Sequence, residues 1–539
     1  MVPRRASLTV LDTDFADGTA FLKFWHRWRD DPERSAMLHW VGILEETAPA
    51  HWPAALEGKL NGLGDGFHRV VFAEGSVSLT LCVGPLQAML TEQTMQADRV
   101  LLGGPATQWD KWTIKALIRH CRRGTLVGVS PFTLLSQDLL QAVGFKPQAA
   151  EGSQSDFVFD PMWTLSTTRR AKAGAAEPGH CAVIGAGLAG ASVAHALALR
   201  GWQVTVLDQH EAPAGGASGL PVGLAVPHVS VDDSPRSRLS RSGTRLMLDH
   251  ARRLLVSGQD WAPTGVLELR EPLQRNLLHP EAGWVKPAQL VQAWLRQPGV
   301  VFIGNARVSH IDRQGSHWVV TTASDTRIAA ADQIVFANAY GCSTLLPGLA
   351  PAMLEGDILP KLAAMQEVHG LLSYGSMPSI VGSPQSEVFP DTPVNGNGSL
   401  IAGVPTPRGK EWFAGATFTP DTIGKTAIAA GHRANHARLN DLLPEVGTAL
   451  RDAFDGGSVL AWTGTRCVTH DRLPLVGPVQ AGDGCSLWIT AGMGARGLSL
   501  SALCAELLVA QICGEPLPVE ASLVRSLSAL RMRRKRQAS

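Results

Sequence analysis

Residues 180–208, HCAVIGAGLAGASVAHALALRGWQVTVLD, constrain the fold more than any other stretch of the chain. The apolar run at 181–184 is short enough for a buried parallel strand. Gly185, Gly187 and Gly190 follow in a G-x-G-x-x-G pattern, where small residues let the backbone turn sharply and approach a pyrophosphate. The spacing predicts a helix over 188–199, whose amino terminus offers that anion unpaired amides and the positive end of a dipole. Gly201 stops the helix and 203–207 form the next strand. Asp208 then stands where a carboxylate accepts from a ribose hydroxyl. Glycine-rich turns are common; strand, turn, helix and acid in this order read as a dinucleotide-binding unit.

Such a unit usually opens its chain, yet here it starts at residue 180. A total of 539 residues calls for two or three domains. Residues 164–179, TLSTTRRAKAGAAEPG, are small, polar and proline-containing, which predicts a linker and a separate front domain over 1–163. That domain reads as α/β, with strands at 7–11, 38–44, 77–83, 99–102, 124–129 and near Phe157, and a helix at 19–28. Its first strand-to-helix turn, DTDFADGT, holds one glycine, Gly18, and three aspartates that repel phosphate. It is half a loop for a neutral or cationic ligand such as S-adenosylmethionine, or a capped surface turn.

The net charge of +1 excludes a uniformly basic protein but not a local basic patch. Eight cysteines without C-x-x-C or finger-like spacing suit a reducing compartment better than disulfides or a zinc site. No apolar run is read as long enough to span a bilayer, and the amino terminus lacks a signal-peptide core. The expectation is a soluble cytoplasmic protein with no metal.

Past the dinucleotide unit, GGASGLPVG at 215–223 is a second glycine-rich loop, with Ser218 at its centre, placed to run beside a flavin or to serve as a connection. Arg236, Arg238, Arg241, Arg245, Arg252 and Arg253 crowd one predicted helix, facing either an anion or solvent. Alternating apolar stretches between about 260 and 420, such as 318–322 and 415–418, predict a mainly antiparallel inserted domain, from which 333–339 return to the nucleotide sheet. Further on, AGMGARG at 491–497 (Gly492, Gly494, Arg496, Gly497) feeds an apolar helix over 498–512 that Gly514 ends. A second helix amino terminus suits the negative charge that develops on a reduced flavin, so FAD is favoured over a nicotinamide.

Three stretches, VIGAGLAGASVAHALALRGWQVTVLD, GTRCVTHDRLPLVG and AGMGARGLSLSALCAELL, resemble the FAD-dependent amine oxidases related to D-amino-acid and glycine oxidase. The chain as a whole resembles the bacterial bifunctional tRNA 5-methylaminomethyl-2-thiouridine biosynthesis proteins, in which a methyltransferase domain precedes that oxidase. The resemblance rests on LKFWHRWRDDPERSAMLHWVGILE, GWVKP, GATF and GEPLPVEASLVRSLSALRMRR. It implies a Rossmann-like methyltransferase-type domain, then an FAD-binding Rossmann domain over 180–539. The FAD-binding parts would be about 180–260, 330–350 and 464–520, and the inserted substrate domain about 260–330 and 350–463.

The reaction implied is oxidative removal of the carboxymethyl group from 5-carboxymethylaminomethyl-2-thiouridine at a tRNA wobble position. Arg466, in the G-x-R-x-x-T-x-D stretch, is the expected carboxylate clamp. Asp471, Pro474 and Gly477 are expected to shape its loop. The family's glycine loop, G-F-G-T-G-x-N-F-L, appears here as DFADGTAFL, and its D-G-F-x-P motif as LGGP at 102–105. Gly18 and Glu45 are what remains to meet S-adenosylmethionine, and a retained fold without methyl transfer is favoured. Candidate tRNA contacts are Arg119, Arg122 and Arg123, the 236–253 helix, and the tail Arg531, Arg533, Arg534, Lys535 and Arg536. The other enzyme reading is a small-molecule amine or glycine-type oxidase that does not act on RNA; a non-catalytic tRNA-binding scaffold is disfavoured.

Overall fold

The computed structural model describes residues 7–45, 51–129, 137–148, 157–163, 176–270, 276–323, 326–349, 354, 358–377, 388–418, 425–480 and 486–531. The front sheet has eight strands: β1 Ser7–Asp12, β2 Met37–Leu44, β3 Gly66–Phe72, β4 Val77–Val83, β5 Ala97–Leu102, β6 Cys121–Val129, β7 Phe145–Pro147 and β8 Phe157–Phe159. Their order is β3-β4-β2-β1-β5-β6-β8-β7. The central strands β4, β2, β1, β5 and β6 run parallel, as an apolar sheet covered on both faces requires. The strand order reverses beside β1, so this sheet's ligand crevice would open at the carboxyl ends of β1 and β5.

Two of these strands, β3 and β7, are absent from the sequence reading. In β3, GFHRVVF, the pair His68 and Arg69 disguises a buried strand. Both are almost fully enclosed, because this edge strand lies against the oxidase half.

The second sheet runs Val300–Ile303, Gln203–Leu207, His180–Ile184, Gln333–Phe336, Leu487–Ala491, Leu475–Pro478, parallel except for the last pair. The return of 333–336 is as expected. Val300–Ile303, assigned from sequence to the substrate part, instead extends the nucleotide sheet, since this short β-branched run pairs with Gln203–Leu207.

The substrate sheet has seven strands, ordered Leu277–His279, Val266–Glu268, Val394–Gly396, Gly398–Thr406, Gly409–Gly415, Gln366–Ser376, Leu460–Val468. All its pairs are antiparallel except Val266–Glu268 with Val394–Gly396. Two corrections follow. Arg466 stands on the edge strand Leu460–Val468, so this segment belongs to the substrate sheet rather than to the flavin part. The strand read at 415–418 ends at Gly415, which leaves Phe418 outside the sheet.

The helix Gly497–Cys513 is buried almost throughout, and Gly514, at φ 67°, ends it in the left-handed conformation that glycine tolerates. Residues 494–513 are long and apolar enough to cross a bilayer, contrary to the sequence reading. They are instead 78% buried among the core helices.

The two halves meet along a polar seam. Gln93 and Leu517 exchange two hydrogen bonds of 3.2 and 3.0 Å, Ser522 N donates to Glu92 at 2.7 Å, and Lys59 pairs with Asp249 at 2.8 Å. Deeper in, Arg200 is held by Glu515 at 2.7 Å and Glu506 at 3.0 Å, with Arg69 3.8 Å from Glu506. Two cations and two carboxylates balance where burial forbids a lone charge.

Candidate active site

The first glycine turn is built by steric exclusion. A Cβ on Gly190 would lie 1.8 Å from the carbonyl oxygen of Gly185, and one on Gly185, whose φ is 107°, would lie 2.6 Å from that of Ala337. Gly187 caps the helix Leu188–Ala198 and brings no side chain of its own to the first amides; a Cβ there would meet Ser218 Oγ at 3.0 Å. Ser218 folds across it, its hydroxyl accepting from Leu188 N at 2.9 Å. Asp208 stands at the next strand end as expected, but its carboxylate also pins the turn. One oxygen accepts from Ala186 N at 2.7 Å, and the other from the backbone and ring nitrogens of His210.

The second glycine turn reaches the same crevice. Gly492 and Gly494 take φ values of 76° and 57°, which only glycine adopts freely. A Cβ on Gly497 would meet the Leu188 side chain at 3.1 Å, so the two helix starts lie side by side. Arg496 caps the second helix and is half-buried. Burial and the charge of Arg236 both lower its pKa.

Arg466 stands beside this turn. A backbone bridge joins Val468 to Met493, and a Cβ on Gly492 would strike Thr469 at 2.6 Å. The guanidinium is closely confined: the Phe418 ring centroid is 4.6 Å from Cζ, and Gly370 leaves so little room that a Cβ there would be 2.7 Å from Nη1. Burial lowers its pKa. Nη1 is buried without an acceptor, and Arg466 has no ion pair with any described residue. A planar cation held without a counter-ion is what a carboxylate ligand requires. Gly370 was not singled out from sequence, since strand pairing is what brings it to Arg466, and Phe418 entered only as the end of the GATF stretch, with no role at Arg466.

Asp471 is locked by Arg531 through two 2.8 Å contacts, and Arg531 also donates to the carbonyls of Leu473 and Pro474. Arg531 is therefore a clasp on that loop rather than part of a free basic tail. Arg533, Arg534, Lys535 and Arg536 lie outside the described residues. Arg122 and Arg123 pair with Asp98 and Asp160. On the helix Pro235–Leu254, Arg238, Arg241, Arg245 and Arg253 pair with Glu520, Asp233, Glu281 and Asp249. With Arg252 3.8 Å from Asp249, most of this predicted anion face is already committed to acids of the chain itself.

In the front crevice, Gly18 takes φ 77° at the start of the helix Thr19–Asp30. The preceding Ala16 sits at φ 47°, a conformation that suits glycine better. Asp14 fills space over Gly103, where an added Cβ would be 2.5 Å from its own. Asp17 bonds Thr19 at 2.9 and 2.8 Å, and Glu45 is bridged to Gln108. Asp12 is wholly buried, and desolvation pushes its pKa up to about 8.

Residues 180–275 and 251–511 match the family described as FAD dependent oxidoreductase. The chain is 44% identical to the tRNA 5-methylaminomethyl-2-thiouridine biosynthesis bifunctional protein MnmC of Albidiferax ferrireducens, over 97% of this chain and 92% of that one. It is 40% identical to the protein of the same name from Polaromonas naphthalenivorans, over 95% and 88%. Among solved structures, glycine oxidase from Geobacillus kaustophilus superimposes with a TM-score of 0.51 at 19% identity, covering 66% of this chain and 98% of that one. This last likeness concerns the fold.

Proposed function

The chain belongs to the family of tRNA 5-methylaminomethyl-2-thiouridine biosynthesis bifunctional proteins, and from that premise we propose that its oxidase half removes the carboxymethyl group from 5-carboxymethylaminomethyl-2-thiouridine in tRNA. The observation that carries this reading is Arg466, a half-buried arginine beside the second glycine turn whose enclosed Nη1 has no acceptor among the described residues. Gly185, Gly187, Gly190, Asp208 and Ser218 would hold the nucleotide end of FAD. Gly492, Gly494, Arg496 and Gly497 would border its ring. When bound, the flavin supplies a two-electron acceptor for a hydride from the carbon between amine and carboxylate. Arg466 takes the substrate carboxylate through two parallel N–H donors and so orients that carbon. Water then adds to the resulting carbon–nitrogen double bond, releasing the aminomethyl uridine and a two-carbon oxo acid.

The front domain, residues 1–163, is read as a methyltransferase-type fold that has lost its transfer site. Asp14 and Ala16 replace two glycines of the loop, and Glu45, the candidate ribose ligand, is engaged by Gln108. The linker is read at 164–179, of which 164–175 lie outside the described residues, and work on tRNA is consistent with the cytoplasm.

Anaerobic titration tests the oxidase reading. tRNA carrying the carboxymethylaminomethyl group should bleach the flavin, and Arg466→Ala should keep its colour while kcat/KM falls at least about a hundredfold. Bleaching by glycine but not by tRNA would select a small-amine oxidase, and undiminished turnover in Arg466→Ala would remove the clamp.

A further inference from the structure

The arginines of the helix Pro235–Leu254 differ in their partners, and the difference points outward. Arg238, Arg241, Arg245 and Arg253 are all paired with acids. Arg236, on the first turn, has no ion pair with any described residue, and its Nε is buried without an acceptor. The helix is pressed against Gly497–Cys513 so closely that a Cβ on Gly243 would lie 2.0 Å from the carbonyl oxygen of Ser499. Ser499 Oγ donates to the carbonyl oxygen of Val226 at 3.1 Å, and His228 N to Ser240 at 2.7 Å. These bonds bring the first turn of the helix, the loop before it and the Arg496 cap together. From the substrate sheet comes Glu268, which accepts from Arg270 at 3.3 Å and is 2.8 Å from His279 Nε2. Arg270 also buries an Nε without an acceptor.

Arg270 and His279 thus already share the Glu268 carboxylate, while Arg236 and Arg496 stand near the same loop, close enough to His228 for both to act on its charge. The charge of Arg236 depresses the pKa of Arg496, while Glu268 opposes that effect. His228, also beside Arg236, Arg270 and Arg496, is lowered by burial first and by Arg496 next. An anion would relieve this excess. Arg496 is two residues from Gly494, and the same turn is bridged through Met493 to Val468, two residues from Arg466. The cluster and the carboxylate clamp therefore flank one turn.

We propose that Arg236, Arg270 and Arg496 form a second anion site, which takes a backbone phosphate of the RNA whose modified base reaches Arg466. Guanidinium forks match phosphate oxygens in pairs, and the half-buried setting strengthens them over exposed contacts. A backbone phosphate accompanies a nucleotide in RNA but not a free amino acid, so the site would favour RNA over small amines. This inference rests on the tRNA-oxidase reading above.

The test uses the full flavin-loaded chain and the variants Arg236→Gln and Arg270→Gln, with modified tRNA and the free modified nucleoside as parallel substrates. Each variant should raise KM for tRNA on the order of tenfold. Each should also reduce the salt dependence of log affinity by about 0.7 to 0.9 per lost phosphate contact. Nucleoside turnover should stay within about twofold, since it carries no phosphate. An unchanged tRNA KM and salt slope would overturn the site. Equal losses on tRNA and nucleoside would assign the anion to the substrate carboxylate, and a colourless variant would assign the arginine to cofactor support; either overturns the phosphate assignment. If the unaltered chain oxidised neither substrate, the underlying reading would fail before any variant was compared.

Discussion

Arg466 is set apart by what its surroundings lack among the described residues, an acceptor for Nη1. Its type and motif are visible in the sequence, but its unpaired edge depends on Gly370 and Phe418, which reach it from another strand and from a segment beyond the sheet. Gly370 lies opposite Gly464 on the paired strands, and its φ is not in the left-handed region. Alanine is therefore tolerated by the backbone and excluded only by the guanidinium. Gly370→Ala should leave the thermal midpoint nearly unchanged while raising KM about tenfold or more, because the cation is pushed off its carboxylate. Steady-state kinetics beside a melting curve would decide it; wild-type KM with an intact fold would show that the contact is not limiting.

At the scale of elements, the two halves treat the same device differently. The oxidase turn keeps all three glycines of G-x-G-x-x-G, each with a neighbour that forbids a side chain or a φ that favours none. The front turn holds Ala16 at a positive φ that suits glycine better and sets Asp14 over Gly103 at the β5 end, so the turn lacks the open glycine cradle of the oxidase half. Calorimetry of the full chain with S-adenosylmethionine should give no saturable heat up to about 1 mM, a Kd weaker than about −4 kcal/mol of binding. Stoichiometric binding, or a methylated nucleoside after incubation with tRNA, would restore the front site. The secondary structure of both units was readable because 2.0- and 3.6-residue periodicities are local, and glycine stops are too. The edge strand β3 was not, because its polar pair is enclosed by the other half.

For the whole molecule, the seam makes stability depend on pH. Burial lowers His39, His68 and His195 to about 4, against 6.5 for the free side chain, and also holds His250 well below that ordinary value. His39 stays neutral although Glu515 is 3.5 Å away, because burial outweighs that attraction and Arg200 and Arg69 oppose protonation. Between pH 6.5 and 4 the unfolded chain takes up protons that the folded chain does not, so stability is lost as pH falls. Burial alone would raise Glu506, but Arg200 and Arg69 hold it at about 2, and its contribution disappears below pH 4.5 in the same direction. Chemical denaturation should therefore show stability falling from pH 7 to 5, by up to about 1.4 kcal/mol per pH unit for each such histidine. A flat profile across that range would mean that these imidazoles are not enclosed in solution.

What the amino-acid sequence determined by itself is the pair of glycine turns with their strands and helices, and hence a flavin-type crevice, since backbone freedom and side-chain periodicity act over a few residues. Tertiary structure decided which charges are available to a ligand. Arg238 is neutralised by Glu520, 282 positions away, while Arg236, two residues earlier, has no such partner among the described residues. Arg531 closes a loop onto Asp471, and Arg466 is left with no acid among the described residues, which is what the proposed clamp requires. Coulomb interactions are set by distance in space, and distance in space between remote residues is not written in their order along the chain.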